Sequence, residues 1–376
     1  MKKIGILTLP LHTNYGGILQ AYALQKVLEN MGHEVTIISG KVKKIKLPLL
    51  KLPFVLFKRI VLRYVFGREL ELLVEKRINT EQPIVCKHTH QFVDKYLNIS
   101  DISFDKLPKN SFDALIVGSD QIWRPDYCEN IYDSFFDFAV KWNIKRIAYA
   151  PSFGKDTWDY TELQTKRCGN LVQLFDAVSV RELGGVRLCK KNFKIDAEVV
   201  LDPTMLLFAS DYIDSLQIGN TPKSSGNLMV YVLDNNASKN DIIGIVKDKL
   251  SLTIFKTGSK VEDIFATLDQ RIQPHIEEWL RGFYDADFVV TDSFHACVFS
   301  ILFNKPFVVC SNQLRGNERF VSLLSLLNLE DRIVNSTEDL DKIKLIEIDW
   351  ISVNDKLDFL KKKSIDFIHK ALLGQL

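Results

Sequence analysis

The chain has 376 residues, 46% apolar and 26% charged, with 49 Lys and Arg against 47 Asp and Glu for a net charge of +2. That composition supplies a sizeable core and excludes wholesale disorder, and the length points to more than one domain. So small a charge surplus gives no global field to hold nucleic acid.

The chain opens on a buried strand, Lys3–Leu9, whose apolar run is too short for a signal peptide. A helix follows, with Leu24, Val27, Leu28 and Met31 at i, i+3, i+4 and i+7 and Gly32 as its stop. Glu34–Ser39 completes a βαβ unit. Lys41 to Arg77 then carries eleven basic residues against three acidic ones, with Leu, Phe, Val and Ile interleaved. Two readings stand for it: a helical excursion with a solvated basic face, or a surface for anionic lipid or a lipid-linked acceptor.

Further strands are expected at Asp113–Gly118, Arg146–Ala150, Ala177–Val180 and Glu198–Leu201, then at Asn227–Leu233, Leu252–Lys256, Asp287–Thr291 and Pro306–Cys310. Continuous Val and Ile runs of this kind suit sheets covered on both faces, and helical stretches between them make the sheets parallel. The turn-rich stretch from Gly219 to Asn227 reads as a linker. The expected organisation is two Rossmann-like α/β domains, 1–220 (with the excursion 41–77) and 227–350. A final helix in 351–376, from about Asp355 to Leu373, docks on either domain or crosses back to the first.

The six cysteines form no C-x-x-C pair, which argues against a structural zinc site and for reduced thiols in the cytosol. His88 and His90, two apart near Cys86, read as an exposed loop rather than a metal site. No uncharged run approaches the roughly 18 residues of a membrane span. A soluble intracellular protein is expected.

Four stretches stand where chemistry is expected. Thr13-Asn14-Tyr15-Gly16-Gly17-Ile18-Leu19-Gln20 joins strand to helix, and its two glycines let backbone N–H groups approach an anion. It is not G-x-G-x-x-G, so nothing in it supports nicotinamide binding. In Gly118-Ser119-Asp120-Gln121-Ile122-Trp123, Ser119 and Asp120 fall where a strand's loop is expected to meet a helix, as caps, ligand contacts or both. In Ser179-Val180-Arg181-Glu182 the charged pair is either a rim salt bridge or an anion clamp, since Arg binds carboxylate and phosphate bidentately. In Thr291-Asp292-Ser293-Phe294-His295, His295 lies in the first turn of a helix and is the candidate catalyst, with Asp292 and Asp120 the carboxylates considered for it. The residues alone give a two-lobed α/β protein with an anion-friendly cleft.

Taken together and in this order, these stretches resemble the polysaccharide pyruvyl transferase family. Ile147-Ala148-Tyr149-Ala150-Pro151-Ser152-Phe153-Gly154, Val200-Leu201-Asp202-Pro203-Thr204 and Phe303-Asn304-Lys305-Pro306-Phe307 add to the likeness, which covers about residues 3–330. The resemblance implies a GT-B-like fold with the ligand cleft between its domains. It also implies transfer of a pyruvyl group from phosphoenolpyruvate onto two hydroxyls of a saccharide, as a cyclic ketal, in bacterial surface polysaccharide synthesis. Phosphoenolpyruvate would be a co-substrate, with no metal or redox cofactor, and the acceptor sugar free or lipid-linked. The protein would then be cytoplasmic, or peripheral at the inner membrane face. His295 would move protons, while Asn14, Tyr15, Gly16, Gly17, Gln20, Ser119, Asp120, Arg181 and Ser293 bind substrate. One position departs: the best-characterised members carry an arginine shortly before the motif histidine, where this chain has Ser293-Phe294. A nucleotide-sugar glycosyltransferase on the same architecture, and a carbohydrate-binding relative without turnover, are the alternatives.

Overall fold

The first sheet is built from β1 (Lys3–Thr8), β2 (Glu34–Ser39), β3 (Ala114–Val117), β4 (Lys145–Ala148), β5 (Ala177–Val180) and β6 (Glu198–Val199), in the order β2-β1-β3-β4-β5-β6. The second contains β7 (Leu228–Tyr231), β8 (Ile254–Phe255), β9 (Phe288–Thr291), β10 (Phe307–Cys310) and β11 (Ile333–Val334), in the order β11-β10-β9-β7-β8. Every pairing is parallel. This computed structural model describes residues 1–39, 52–66, 72–100, 102, 106–311 and 317–375. Of the basic segment, Lys41, Lys43, Lys44, Lys46, Lys51, Arg68, Glu69 and Glu71 lie outside the described residues.

The strands form where the apolar runs are. Ala114–Val117, Phe288–Thr291 and Phe307–Cys310 are buried at every position, as a sheet covered on both faces requires. The two-residue β11 was not expected, because Ile333-Val334 is too short a run to stand out in sequence.

Connectivity decides where a ligand fits. In the first sheet the chain turns from β1 to β2 on one side and to β3 on the other. In the second it turns from β7 to β8 and to β9 in the same way. Loops leaving the carboxyl ends of strands at such a reversal diverge and leave a crevice between them. Both reversals contribute to one cavity, described below.

The helix Tyr15–Asn30 is buried around nearly its whole circumference, with only Lys26, Glu29 and Asn30 outside the core. A helix apolar on all sides needs partners on all sides. Tyr22 packs on Phe92, Tyr96 and Tyr212, and Gln25 bonds the Tyr96 carbonyl and the Asn98 amide. Gly32 follows with φ +82°, the left-handed geometry of a helix stop.

The last helix, Trp350–Leu373, begins earlier than the sequence suggested because Asp349 caps it through the Ser352 amide at 3.1 Å. It reaches the first sheet's side of the molecule: Ser364 Oγ accepts from the Leu201 amide at 3.0 Å, and Phe367 packs near Tyr149. His88 and His90 lie on a helix, Lys87–Tyr96, and not on the exposed loop expected for them, and the His88 ring rests 3.8 Å from that of His275. Among the described residues no helix is long and apolar enough to cross a membrane.

Candidate active site

A cavity of about 480 Å³ opens where the carboxyl ends of β1, β3, β7 and β9 meet. Thr8 to Gly17 wall it from the first sheet, with Asp120, Gln121 and Tyr127. Tyr231, Leu233, Gln273, Trp279, Asp292, Ser293, His295 and Arg319 wall it from the second. Tyr15 ties the two sides together, donating its hydroxyl to the Pro274 carbonyl at 2.7 Å and packing on Trp279 with ring centroids 5.4 Å apart.

Asn14 is the N-cap of the helix Tyr15–Asn30, yet its side chain makes no capping bond. Its amide donates instead to Asp120 Oδ2 at 3.1 Å. The first-turn N–H groups, which have no partner inside the helix, therefore stay uncapped beside the cavity at Gly16 and Gly17. Glycine is required at 16, because a Cβ there would stand 1.9 Å from His295 Nδ1.

Ser119 and Asp120 do not start a helix as the sequence suggested; turns follow, and then the short 3₁₀ segment Pro125–Tyr127. Gly118, at φ +134°, lies so close to the Tyr149 carbonyl that a Cβ would be 2.0 Å from its oxygen. Asp120 is held at φ +56° and faces the cavity. Ser119 points inward, donating to the Ala150 carbonyl at 2.7 Å and accepting from Gln20 Nε2 at 3.1 Å.

Arg181 is neither at the rim nor on the cavity wall. It is buried, with Nη1 on Asp202 Oδ2 at 2.7 Å, Nη2 3.9 Å from Asp120 and Nε 3.8 Å from Glu182. Burial alone would lower its pKa, but Asp202, Glu182 and Asp120 outweigh that and raise it. The guanidinium also lies 4.6 Å from the centre of the Phe294 ring.

The carboxylate beside His295 is Asp202, rather than the Asp292 or Asp120 considered from sequence. Its Oδ2 lies 3.7 Å from His295 Nε2, farther than a hydrogen bond. Gln20 Nε2 also donates to Oδ2 at 2.5 Å, and the Thr204 amide and hydroxyl donate to Oδ1 at 3.0 and 2.6 Å. Burial by itself would raise the Asp202 carboxyl, but His295, Arg181 and Thr204 gathered around it hold it well below the usual carboxylate range. Asp292 serves another purpose. It accepts from the Leu233 and Asp234 amides at 2.7 and 3.1 Å and from Lys239 Nζ at 2.6 Å, fixing the β7 loop against the start of the His295 helix.

The structure thus brings Asn14, Tyr15, Gly16, Gly17, Asp120, Ser293 and His295 to the cavity, and sets Gln20, Ser119 and Arg181 behind them. Sequence reasoning gave no role to Asp202, seen only as part of a matching Val-Leu-Asp-Pro-Thr run, and passed over Arg319. Arg319 lines the cavity 5.5 Å from the Phe294 ring centre. Burial and the neighbouring Arg181 push its guanidinium down to about 10, which leaves it a cation at neutral pH. Nothing around it in sequence marks it out. Among the described residues no group of three or more His, Cys, Asp or Glu is placed to hold a metal.

Two parallel sheets flanked by helices, with a crevice between lobes, define a GT-B-like α/β protein, and comparison with solved structures agrees. A UDP co-structure of MnaA from S. aureus superposes with a TM-score of 0.51 at 13% identity, over 100% of this chain and 98% of that one. UDP-GlcNAc 2-epimerase from Neisseria meningitidis, bound to UDP-GlcNAc, gives 0.49 at 9% identity over 99% of each chain. No curated protein matches by sequence. The family model for polysaccharide pyruvyl transferase matches residues 14–313, and the chain belongs to that transferase family.

Proposed function

We propose that the protein transfers a pyruvyl group from phosphoenolpyruvate onto two hydroxyls of a saccharide, forming a cyclic ketal and releasing phosphate. The observation that carries this reading is His295, backed by Asp202, at the wall of a cavity that Arg319 and an uncapped helix start also line, in a chain of this family.

In the reaction a proton goes to the enol methylene carbon and positive charge develops at the adjacent carbon. One hydroxyl adds there and gives up its proton. The bond from that carbon to the phosphate oxygen breaks, and the second hydroxyl takes its place and loses a proton in turn. Of the two protons released, one balances that taken up by the methylene and the other leaves with phosphate. His295 relays these protons, with the Asp202 carboxylate beside its ring. Arg319 and the Gly16 and Gly17 amides hold the donor's phosphate and carboxylate. Arg181, committed to Asp202, is a positioning residue. Tyr231, half-buried on the cavity wall, offers an aromatic surface to the sugar.

The test is incubation with phosphoenolpyruvate and a panel of β-galactosides and N-acetylhexosamines, following phosphate release and product mass. Silence across the panel, with no phosphoenolpyruvate binding by calorimetry, rejects the reading. A nucleotide-sugar transferase is the second reading, favoured by Ser293-Phe294 in place of the donor arginine and by the aromatic wall. Thermal shift separates the two, since a ligand at 100 times its dissociation constant stabilises by about 2.7 kcal/mol. Stabilisation by UDP or GDP but not by phosphoenolpyruvate reverses the order.

A further inference from the structure

The helix Leu52–Tyr64 and the two residues after it have a surface that neither the cavity nor the sheets explain. No residue of that helix is buried. Phe54 is 83% exposed, Phe57 69%, Tyr64 71% and Phe66 67%, with Ile60 and Val65 exposed beside them. At about 100° per residue, Phe54, Phe57, Val61, Tyr64 and Val65 share one side of the helix.

Charge decides what this face meets. Between Leu52 and Phe66 the chain has Lys58, Arg59 and Arg63 and no acidic residue. Arg59 is committed inward, with Nη1 and Nη2 on Glu75 at 2.8 and 2.7 Å. Lys58 is exposed at the edge of the apolar face. Exposed aromatic side chains beside a cation, with no acidic residue in the helix itself, are the composition of a helix that lies in the headgroup region of an anionic bilayer. The charge is wrong for a second copy of the same face, which would set like cations against each other.

The helix is fixed to the rim of the cavity. Glu75, the partner of Arg59, lies on the helix Val74–Val85. On that helix Arg77 donates to the Ile264 carbonyl at 2.7 Å, Glu81 pairs with Arg271, and the Val85 carbonyl accepts from the Gln273 amide at 3.0 Å. Val261, Glu262 and Gln273, in the same stretch of the second lobe, line the cavity.

We propose that the face made by Phe54, Phe57, Tyr64 and Val65, with Lys58 at its edge, docks on an anionic phospholipid surface. The protein then sits peripherally with its cavity tethered close to the bilayer. If the proposed transfer reaction holds, the acceptor is a lipid-linked saccharide, but the docking itself does not depend on that reaction.

The test uses the full chain and vesicles, with no substrate. Flotation is measured with phosphatidylcholine vesicles and with vesicles containing phosphatidylglycerol, at low and high salt. Binding is expected to rise with phosphatidylglycerol and to collapse with salt. Lys58→Gln is expected to weaken it about fivefold. Phe54→Ser with Phe57→Ser should abolish it, while circular dichroism and melting temperature stay unchanged because neither side chain is buried. No flotation, equal flotation on neutral vesicles, or a wild-type dimer by light scattering that Phe54→Ser/Phe57→Ser dissolves overturns the proposal. Because no step involves phosphoenolpyruvate, failure here and failure of the transfer reading are separate results.

Discussion

The imidazole of His295 lies so close over Gly16 that a single added carbon at Gly16 would stand 1.9 Å from Nδ1, 2.3 Å from Cγ and 2.4 Å from Cε1. A histidine from the second sheet's helix is thereby seated on the first turn of the first sheet's helix. Gly16→Ala should displace the ring and cost about 1–3 kcal/mol of stability, the range for overpacking. Turnover should fall as it does in His295→Ala, where loss of a positioned acid or base removes about 10²–10⁴-fold. Phosphate release and thermal melting read both. A Gly16→Ala enzyme at full speed would show that the ring's seat is unimportant.

Asp202 ties stability to acid pH. Its folded-state pKa is depressed, so the unfolded chain takes up this proton first as pH falls. The stability it contributes is present above its ordinary value of 3.8 and is lost as pH drops toward the lower folded value. Asp202→Asn leaves Arg181 buried beside a neutral group and should cost about 3–5 kcal/mol at pH 7. It should also flatten the loss of stability below about pH 4. Urea midpoints from pH 3 to 7 for both proteins check this, and parallel curves would remove Asp202 from the account.

Arg319 and Arg181 should separate in kinetics. Arg319→Gln removes a charged donor from the cavity wall, where such a bond is worth about 1.5–3 kcal/mol. The KM for phosphoenolpyruvate should rise roughly tenfold to a hundredfold with a smaller change in kcat. Arg181→Gln should mainly lower the melting temperature, because its partner is Asp202. Equal effects on donor KM would place both guanidinium groups at the donor.

Thiol chemistry reports on the core. Cys86, Cys168, Cys189, Cys297 and Cys310 are buried and Cys128 is half-buried. Burial pushes Cys168 and Cys310 up to about 12, and Cys189 and Cys297 higher still. At pH 8 Ellman's reagent should label Cys128 first and the other five only as the chain unfolds. Rapid labelling of several thiols in the native protein would contradict this packing.

Much of the site was legible because strand ends are legible. Runs such as Ala114–Val117 and Phe288–Thr291 stop abruptly, and the residues after them, Gly118 to Gln121 and Asp292 to Ser293 with the helix start at His295, lie where a parallel sheet sends its strand ends to one edge. Gly16 and Gly17 could likewise be assigned to a close approach, although only the structure shows that a ring of the same chain makes it. Arg181 was placed correctly at a strand end and assigned an external anion, whereas its partner is Asp202, twenty-one residues on.

The sequence by itself determined the two parallel sheets, the loops that line the cavity and the candidate histidine, because burial on both faces and chain reversal leave local signatures in residue type. Only the tertiary structure decided which carboxylate meets His295, that Arg319 and not Arg181 reaches the cavity, and which side chains stand behind the wall. Those are relations between segments far apart in the chain, as Gly16 and Arg319 on one cavity wall show. Nothing in the local pattern around Asp202 or Arg319 depends on what lies across the cleft, so no local reading recovers it.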